Sequence, residues 1–335
     1  MAGIKDVAQE AGVSVGTVSN AINRPESVSP ETLERVRVVI KRLGYVRSES
    51  ARQLRAGRSR IMALLVLDAG NPFFAGIMHG AEDVARAAGL GAMVCNSAQS
   101  PREEARYLSL FAEHRVCGVL LTPADASWTD LDALRKQGIP VVLVDRVGKE
   151  SEVSSVSVDD TMGGALAGRH LVSTGHRSVA YVSGPPHLQQ VQDRRAGLLS
   201  ALADAGLPPD AMTELPTNHM TVAAGRDAGA RLLGLNPRPT AVFCANDLLA
   251  LGLLQVLFAA GVHVPGDMAI IGYDDIEFAA AAAVPLTSVR RPAVTMGRMA
   301  AELLLTEMDP PAGHEHRSVV LQPELVVRES TRTRR

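Results

Sequence analysis

Apolar positions in the first 45 residues recur at helical spacing in three short blocks. Val7, Ala8 and Ala11 fall on one face of a first helix, which Gly12 stops because glycine enters the left-handed backbone of a helix end at little cost. Ser14 stands where an N-cap belongs, and Val18 and Ile22, four apart, form the inner stripe of a second helix. Ser29-Pro30-Glu31 opens a third: a capping hydroxyl, a proline at the first turn and an acid near the positive end. Its inner stripe is Leu33, Val36, Ile40 and Leu43, and Gly44 ends it. From residue 61 the pattern changes to continuous apolar runs between helical stretches. The run Ile61–Leu67 predicts a strand, and Asn71-Pro72-Phe73-Phe74 leads into a helix through Ile77, Ala81, Val84 and Ala88. Strands at 92–95, 117–121 and 140–145 then alternate with helices at 102–114 and 129–137.

A second series starts at Val156. It predicts helices at 161–174, 193–205, 221–233 and 247–260, and strands at 178–183, 211–215, 240–244 and 268–272. Fully apolar strands between helices indicate parallel sheets covered on both faces, and two such series indicate two lobes facing a cleft. The fold class expected is α/β, with an all-α helix-turn-helix head on a two-lobed body. A helix at 294–307 and strands near 317–321 and 324–328 complete the chain.

Charge separates head from body. Residues 1–60 carry 11 Lys and Arg against 6 Asp and Glu, a net of +5, whereas the remainder is −7, within an overall −2. The basic run Arg47, Arg52, Arg55, Arg58 and Arg60 is opposed only by Glu49. The exposed face of the second helix presents Thr17, Ser19, Asn20 and Asn23, small groups that can approach base edges and phosphates closely. A basic head on an acidic body fits a head that neutralises phosphates.

With these residues in place, the chain resembles the lactose-repressor (LacI/GalR) family of bacterial transcription regulators along essentially its whole length. The signatures are Asp6-Val7-Ala8, Ala11-Gly12-Val13-Ser14, Thr17-Val18-Ser19, Asn23, Val28-Ser29, Leu43-Gly44-Tyr45 and Ala51-Arg52-Gln53-Leu54. The resemblance implies a periplasmic-binding-protein-like body and DNA contacts from Ser14, Thr17, Ser19 and Asn23, with Ser29, Thr32 and Tyr45 on phosphates. Val15 and Gly16 occupy the first positions of the recognition helix. Val15 suits a thymine methyl, Gly16 offers no side chain, and Asn20 can reach a base edge. Residues 48–56, including Ala51, Arg52 and Arg55, are implied to form a hinge helix in the minor groove, with Leu54 as the wedge that kinks the duplex. The implied organisation is 1–46 head, 47–60 hinge and linker, and 61–335 effector-binding and dimerisation domain. Its N-subdomain takes about 61–159 and 291–322, and its C-subdomain about 160–290 and 323–335.

Polar residues directly after apolar strands are the candidate effector contacts, because ligands of open parallel sheets bind beyond the carboxyl ends of the strands. They are Asp145 and Arg146 after 141–144, Asn246 after 241–245, and Asp274 after 270–273. Of the neighbours Asn246 and Asp247, Asn246 is taken as the ligand contact and Asp247 as the helix cap. Arg194 matches the family's effector-clamping arginine, and Phe73 or Phe74 would supply an apolar wall. Met220 stands where many relatives carry an aromatic, and aromatics make up only 3% of the chain. Carboxylates, amides and a guanidinium together suit sugar hydroxyls, which both donate and accept.

Other signals are set aside. Gly12-Val13-Ser14-Val15-Gly16 spells the pattern of a nucleophile elbow, but its serine follows a helix rather than a buried strand. His314-Glu315-His316 lies in a Pro/Gly loop with no third ligand nearby and reads as a solvated loop, so no metal is assigned. Cys95, Cys117 and Cys244 read as buried thiols in a reducing cytoplasm, and no phosphate loop or cofactor motif occurs. There is no apolar signal segment and no run of about eighteen apolar residues. The tail after Val327 has no leucine heptads, so a homodimer rather than a coiled-coil tetramer is expected. The function expected is a cytoplasmic repressor, not an enzyme. Its expected partners are a near-palindromic operator and a small-molecule effector of the sugar class. The competing readings are a sugar-binding transport receptor, which leaves residues 1–60 without purpose, and a sugar-modifying enzyme.

Overall fold

A computed structural model describes residues 2–45, 59–124, 131–148 and 152–331. The chain divides into two compact units, Met1–Ser59 and Arg60–Arg335. The elements below are numbered in chain order among the described residues.

In the first unit, α1 (Ile4–Ala11), α2 (Val15–Asn23) and α3 (Pro30–Leu43) pack around Val7, Ala8, Ala11, Val18, Ala21, Val36 and Val39. Gly12 and Gly44 end α1 and α3 in the left-handed conformation, at φ 64° and 59°. Ser14 caps α2 by accepting from the Thr17 amide at 3.0 Å, and Ser29 caps α3 through the Thr32 amide at 3.4 Å.

The second unit contains two six-stranded sheets. The first comprises β1 (Ile61–Val66), β2 (Gly91–Asn96), β3 (Gly118–Leu121), β4 (Val141–Val144), β5 (Ser154–Val158) and β11 (Ser318–Leu321), in the spatial order β11-β5-β4-β3-β1-β2. Every pairing in it is parallel. The second comprises β6 (Val179–Ser183), β7 (Met212–Pro216), β8 (Ala241–Cys244), β9 (Ala269–Asp274), β10 (Thr287–Arg290) and β12 (Glu324–Val326), in the order β12-β10-β9-β8-β6-β7. Only β12 runs antiparallel to its neighbour. The chain passes from sheet to sheet after β5, after β10 and after β11.

Helices cover the sheets: α4 (Pro72–Ala87), α5 (Pro101–Glu113), α6 (Asp132–Lys136) and α12 (Ala293–Met308) the first, and α7 (Asp160–Ser173), α8 (Gln189–Asp204), α9 (Val222–Leu233), α10 (Asp247–Ala259) and α11 (Glu277–Ala281) the second. The strands 61–66, 141–144, 179–183, 241–244 and 269–274 are almost wholly buried, as their unbroken apolar runs require.

Several boundaries differ from the sequence pattern. Val156 begins no second lobe; it lies in β5, whose partners are β4 and β11 of the first sheet. Helix α8 starts at Gln189 rather than 193, and β9 continues to Asp274. Strand β10, Thr287-Ser288-Val289-Arg290, has no counterpart in the pattern because its buried hydroxyls are satisfied by side-chain partners rather than by apolar packing.

Candidate effector cleft and DNA-reading head

The cleft is assembled at the carboxyl ends of strands from both sheets. Asp145 follows β4 at φ 60°, and Asp274 ends β9 at φ 103°, with Asp275 next at 56°. Left-handed backbone is costly for residues other than glycine and gathers where a site over-determines it. Here it turns two carboxylates toward one guanidinium. Arg291, in the crossover after β10, places Nη1 2.5 Å from Asp145 Oδ1 and Nη2 2.5 Å from Asp274 Oδ1. Its Nε donates to the same Asp274 oxygen at 3.0 Å, and its guanidinium lies 3.4 Å from the Phe73 ring centroid. Asn71, at the cap of α4, donates to Asp274 Oδ2 at 2.9 Å. Gln190, from α8, donates to the Asp145 carbonyl at 2.8 Å. The links from Arg291 and Asn71 to Asp274 and from Gln190 to Asp145 each join a group of the first sheet's lobe to one of the second.

A second guanidinium lies deeper. Arg194 donates from Nε to Asp160 Oδ1 at 2.8 Å and from Nη1 to the Ala245 carbonyl at 2.6 Å, and stacks 3.8 Å from the Tyr273 ring centroid. The crossing of α7 and α8 makes this geometry possible. A Cβ on Gly164 would lie 2.0 Å from the Arg194 carbonyl, and one on Gly197 1.9 Å from that of Thr161, so only glycine at each position lets the backbones meet.

Burial dominates the electrostatics. It pushes the Asp145 carboxyl up against the pull of Arg291. It works equally against the charge on Arg291, but Asp145 and Asp274 more than offset this and hold that guanidinium's pKa above its ordinary value. Arg194 follows the same logic through Asp160, Tyr273, Asp274 and Asp145. Three carboxylates against two guanidiniums leave an excess of acceptors, a surface suited to hydroxyl donors.

Beside this network lies a cavity of about 270 Å³, lined by residues of both lobes that include Asp145, Arg146, Ser157, Asp160, Gln190 and Asp193. Small-molecule sites usually run to about 300–1,000 Å³, so this one fits a small ligand. Ser157 Oγ is buried there without a hydrogen-bond partner, and burial raises the Asp193 pKa.

Of the residues singled out in the sequence, Phe73, Phe74, Asp145, Arg194 and Asp274 are buried around this network, and Arg146 lines the cavity. Two assignments are corrected. Asn246, taken as a ligand contact, is the cap of α10: its Oδ1 accepts from the Leu249 amide at 2.9 Å, and its Nδ2 donates to the Met220 carbonyl at 3.0 Å. Asp247, taken as the cap, is fully buried and ties the strands together, accepting from Ser288 Oγ at 2.7 Å and from the Ile276 amide at 2.9 Å. The helix begins at Asp247 itself, so the cap position falls to the residue before it, Asn246, which exchanges the two roles. Met220 packs its side chain against Gly184. The sequence reading missed Asn71, Asp160, Gln190 and Arg291. It also missed Glu307, the third group beside His314 and His316.

In the head, Val15, Gly16, Asn20 and Asn23 are exposed along α2, and Thr17 and Ser19 are half-buried. Ser14 and Thr17 hydroxyls lie 2.9 Å apart, and Asn23 Nδ2 donates to the Ser19 carbonyl at 2.7 Å. Ser29 and Thr32 hydroxyls pair at 2.9 Å at the start of α3, and Tyr45 follows its end. Ala51, Arg52, Leu54 and Arg55 lie outside the described residues.

Comparison with known proteins matches residues 3–48 to the family model described as bacterial regulatory proteins, lacI family, and residues 169–331 to a periplasmic binding protein-like domain. The HTH-type transcriptional repressor PurR of Photobacterium profundum is 35% identical over 334 residues, covering 99% of each chain. The chain belongs to the LacI family. Members are DNA-binding transcriptional regulators rather than enzymes, and this chain is one of them. Among solved structures, the regulator CelR in complex with cellobiose is 35% identical, with a TM-score of 0.73 over 98% of this chain and all of that one. A LacI family regulator of Enterococcus faecium with bound ribose is 32% identical, with a TM-score of 0.74 over 81% of this chain and 98% of the other. Among the described residues no helix is long and apolar enough to cross a membrane.

Proposed function

We propose that this LacI family regulator is a homodimeric cytoplasmic repressor whose grip on a near-palindromic operator is set by a sugar-type effector bound between the two lobes. The observation that carries the effector reading is the Arg291 bridge: one guanidinium is shared by carboxylates from both lobes, beside a small cavity with an unpartnered hydroxyl. A polyhydroxylated ligand can supply donors to Asp145, Asp193 and Asp274 and acceptors to Arg146 and Arg194. It thereby alters how the lobes hold one another. The sugar-bound relatives of similar sequence support this ligand class.

In this reading the α2 face of Ser14, Val15, Gly16, Thr17, Ser19, Asn20 and Asn23 reads the major groove. Ser29, Thr32 and Tyr45 hold phosphates. Ala51, Arg52, Leu54 and Arg55 enter the minor groove, with Leu54 as the wedge. The body is divided between subdomains of about 61–159 with 291–322 and 160–290 with 323–335. Effector binding favours one closure angle, and across a two-fold dimer that angle governs whether the paired 47–60 segments order on DNA. The coupling is reciprocal: an effector that weakens operator binding is bound less tightly by the operator complex.

The test is retardation of a labelled promoter fragment by the full chain, paired with a thermal-shift screen of sugars, polyols, sugar phosphates and nucleosides. Retardation lost on removal of residues 1–60, with a sugar that both raises the melting temperature and changes retardation, is the expected result. Retardation that survives the truncation overturns the DNA reading. A melting-temperature response to nucleosides alone overturns the sugar assignment.

A further inference from the structure

The loop that joins α12 to β11 folds back on the helix it leaves. The His314 amide donates to the Pro311 carbonyl at 3.0 Å, across a turn that Gly313 makes at φ 78°. This return brings His314 Nε2 and His316 Nδ1 each to 3.0 Å from Glu307 Oε1, on the last turn of α12. The three ligand atoms lie within 4.8 Å of one another, and the two imidazoles meet edge to face at 5.7 Å.

We infer that Glu307, His314 and His316 form a binding site for a divalent transition-metal ion of the zinc class, which clamps the 309–317 loop to the end of α12. Three observations carry it. The donor set, two imidazoles and a carboxylate, is one that zinc takes. Bonds of about 2.0–2.1 Å in a tetrahedral shell put ligand atoms about 3.3 Å apart, close to the 3.0 Å between each imidazole nitrogen and the carboxylate oxygen. Next, His314 Nε2 is buried and faces the carboxylate oxygen at 3.0 Å without the alignment of a well-formed hydrogen bond. A poorly satisfied buried nitrogen is unfavourable, and a metal ion in front of it removes that penalty. Finally, the carboxylate is held from behind. Ser154 Oγ, on β5, donates to Glu307 Oε1 at 2.5 Å and accepts from the Arg317 amide at 3.0 Å. Outer hydroxyls that fix a ligating carboxylate are a regular part of metal sites.

The site does not rest on the effector reading. It lies at the far end of α12 from the Arg291 crossover, on a 16-residue helix about 24 Å long. The bound ion binds only the folded arrangement of helix end, loop and β5, so it stabilises the first lobe by mass action.

The test is titration of the chelator-treated full chain with Co²⁺ and with Zn²⁺. The expected result is one ion per chain at low-micromolar affinity or tighter, visible absorption bands of tetrahedral Co²⁺, and a higher melting temperature with Zn²⁺. The double variant His314→Ala/His316→Ala, confined to a surface loop, should weaken binding at least tenfold, and Ser154→Ala should weaken it about 10–100-fold. X-ray absorption of the zinc-loaded wild-type chain should show two imidazoles and oxygen. Absence of stoichiometric binding by the wild-type chain, an unchanged affinity in the double variant, or a thiolate in the zinc shell would each overturn the proposal.

Discussion

Asp145 and Asp274, at the ends of strands in different sheets, hold the same guanidinium between them, that of Arg291. Removing one partner of a buried ion pair leaves the other charge uncompensated, at a cost of about 3–5 kcal/mol. Arg291→Ala should therefore lower the melting temperature sharply and abolish the ligand-induced thermal shift. Arg291→Lys keeps the charge but not the fork geometry and should fall between the two. Calorimetry of the three proteins with and without effector decides this, and a variant as stable as wild type would remove the bridge from its central place.

The α7–α8 crossing supports Arg194 by close backbone contact as well as through Asp160. A methyl group at Gly164 must displace the Arg194 carbonyl, since the two would stand 2.0 Å apart. Overpacking of this kind costs about 1–3 kcal/mol and sometimes more. Gly164→Ala should weaken effector binding as well as stability, because the backbone it moves carries Arg194, the proposed effector clamp. Ligand titration on the folded fraction separates the two effects, and unaltered affinity would argue against the coupling.

For the head, Ser14→Ala removes the cap of α2 and should cost about 0.5–2 kcal/mol of helix stability. Asn20→Ala leaves the cap untouched and should instead relax base preference at one operator position by about 1–3 kcal/mol, if the exposed amide reads a base edge. Binding-site selection with the two variants distinguishes a folding role from a reading role. Identical selected sites for Asn20→Ala and wild type would place base discrimination elsewhere.

Acid should loosen the second lobe. Burial lowers the pKa of His170 and of His176 below the ordinary 6.5, His170 being lowered further by His176 nearby. A group with a depressed folded-state pKa contributes stability above its unfolded pKa, and this is lost as pH falls through the folded value. Stability should thus decline as pH drops below about 6.5. His170→Gln should flatten the slope. Urea denaturation at pH 7.5 and 5.5 measures it, and an equal slope in the variant would exclude His170 as a source.

The sequence showed the parts that rest on periodicity and missed those that rest on tertiary pairing. Val7, Ala11, Val18 and Val36 follow helical spacing, and they form the head's core. Strands such as Val141–Val144 are unbroken apolar runs and are buried on both sides. Arg291 showed no such signal: it lies beside another arginine after a polar strand, and its importance comes from two aspartates 146 and 17 residues away. Asn246 and Asp247 were exchanged because a cap depends on which residue leaves the helix first, and both side chains suit that position. His314 and His316 were legible as a pair, but Glu307 joins them only through the Gly313 turn.

Strand β11 closes the edge of the first sheet with residues far from the rest of it: Ser318 pairs with Ser155, and their hydroxyls meet at 3.0 Å across 163 positions of sequence. On the ribosome, then, the lobe that begins first is completed almost last, after the whole second lobe has emerged. Neither half can be excised by a single cut, and a message truncated before codon 318 would yield a nascent chain whose leading sheet ends in an open β5 edge, exposed to chaperones and proteases.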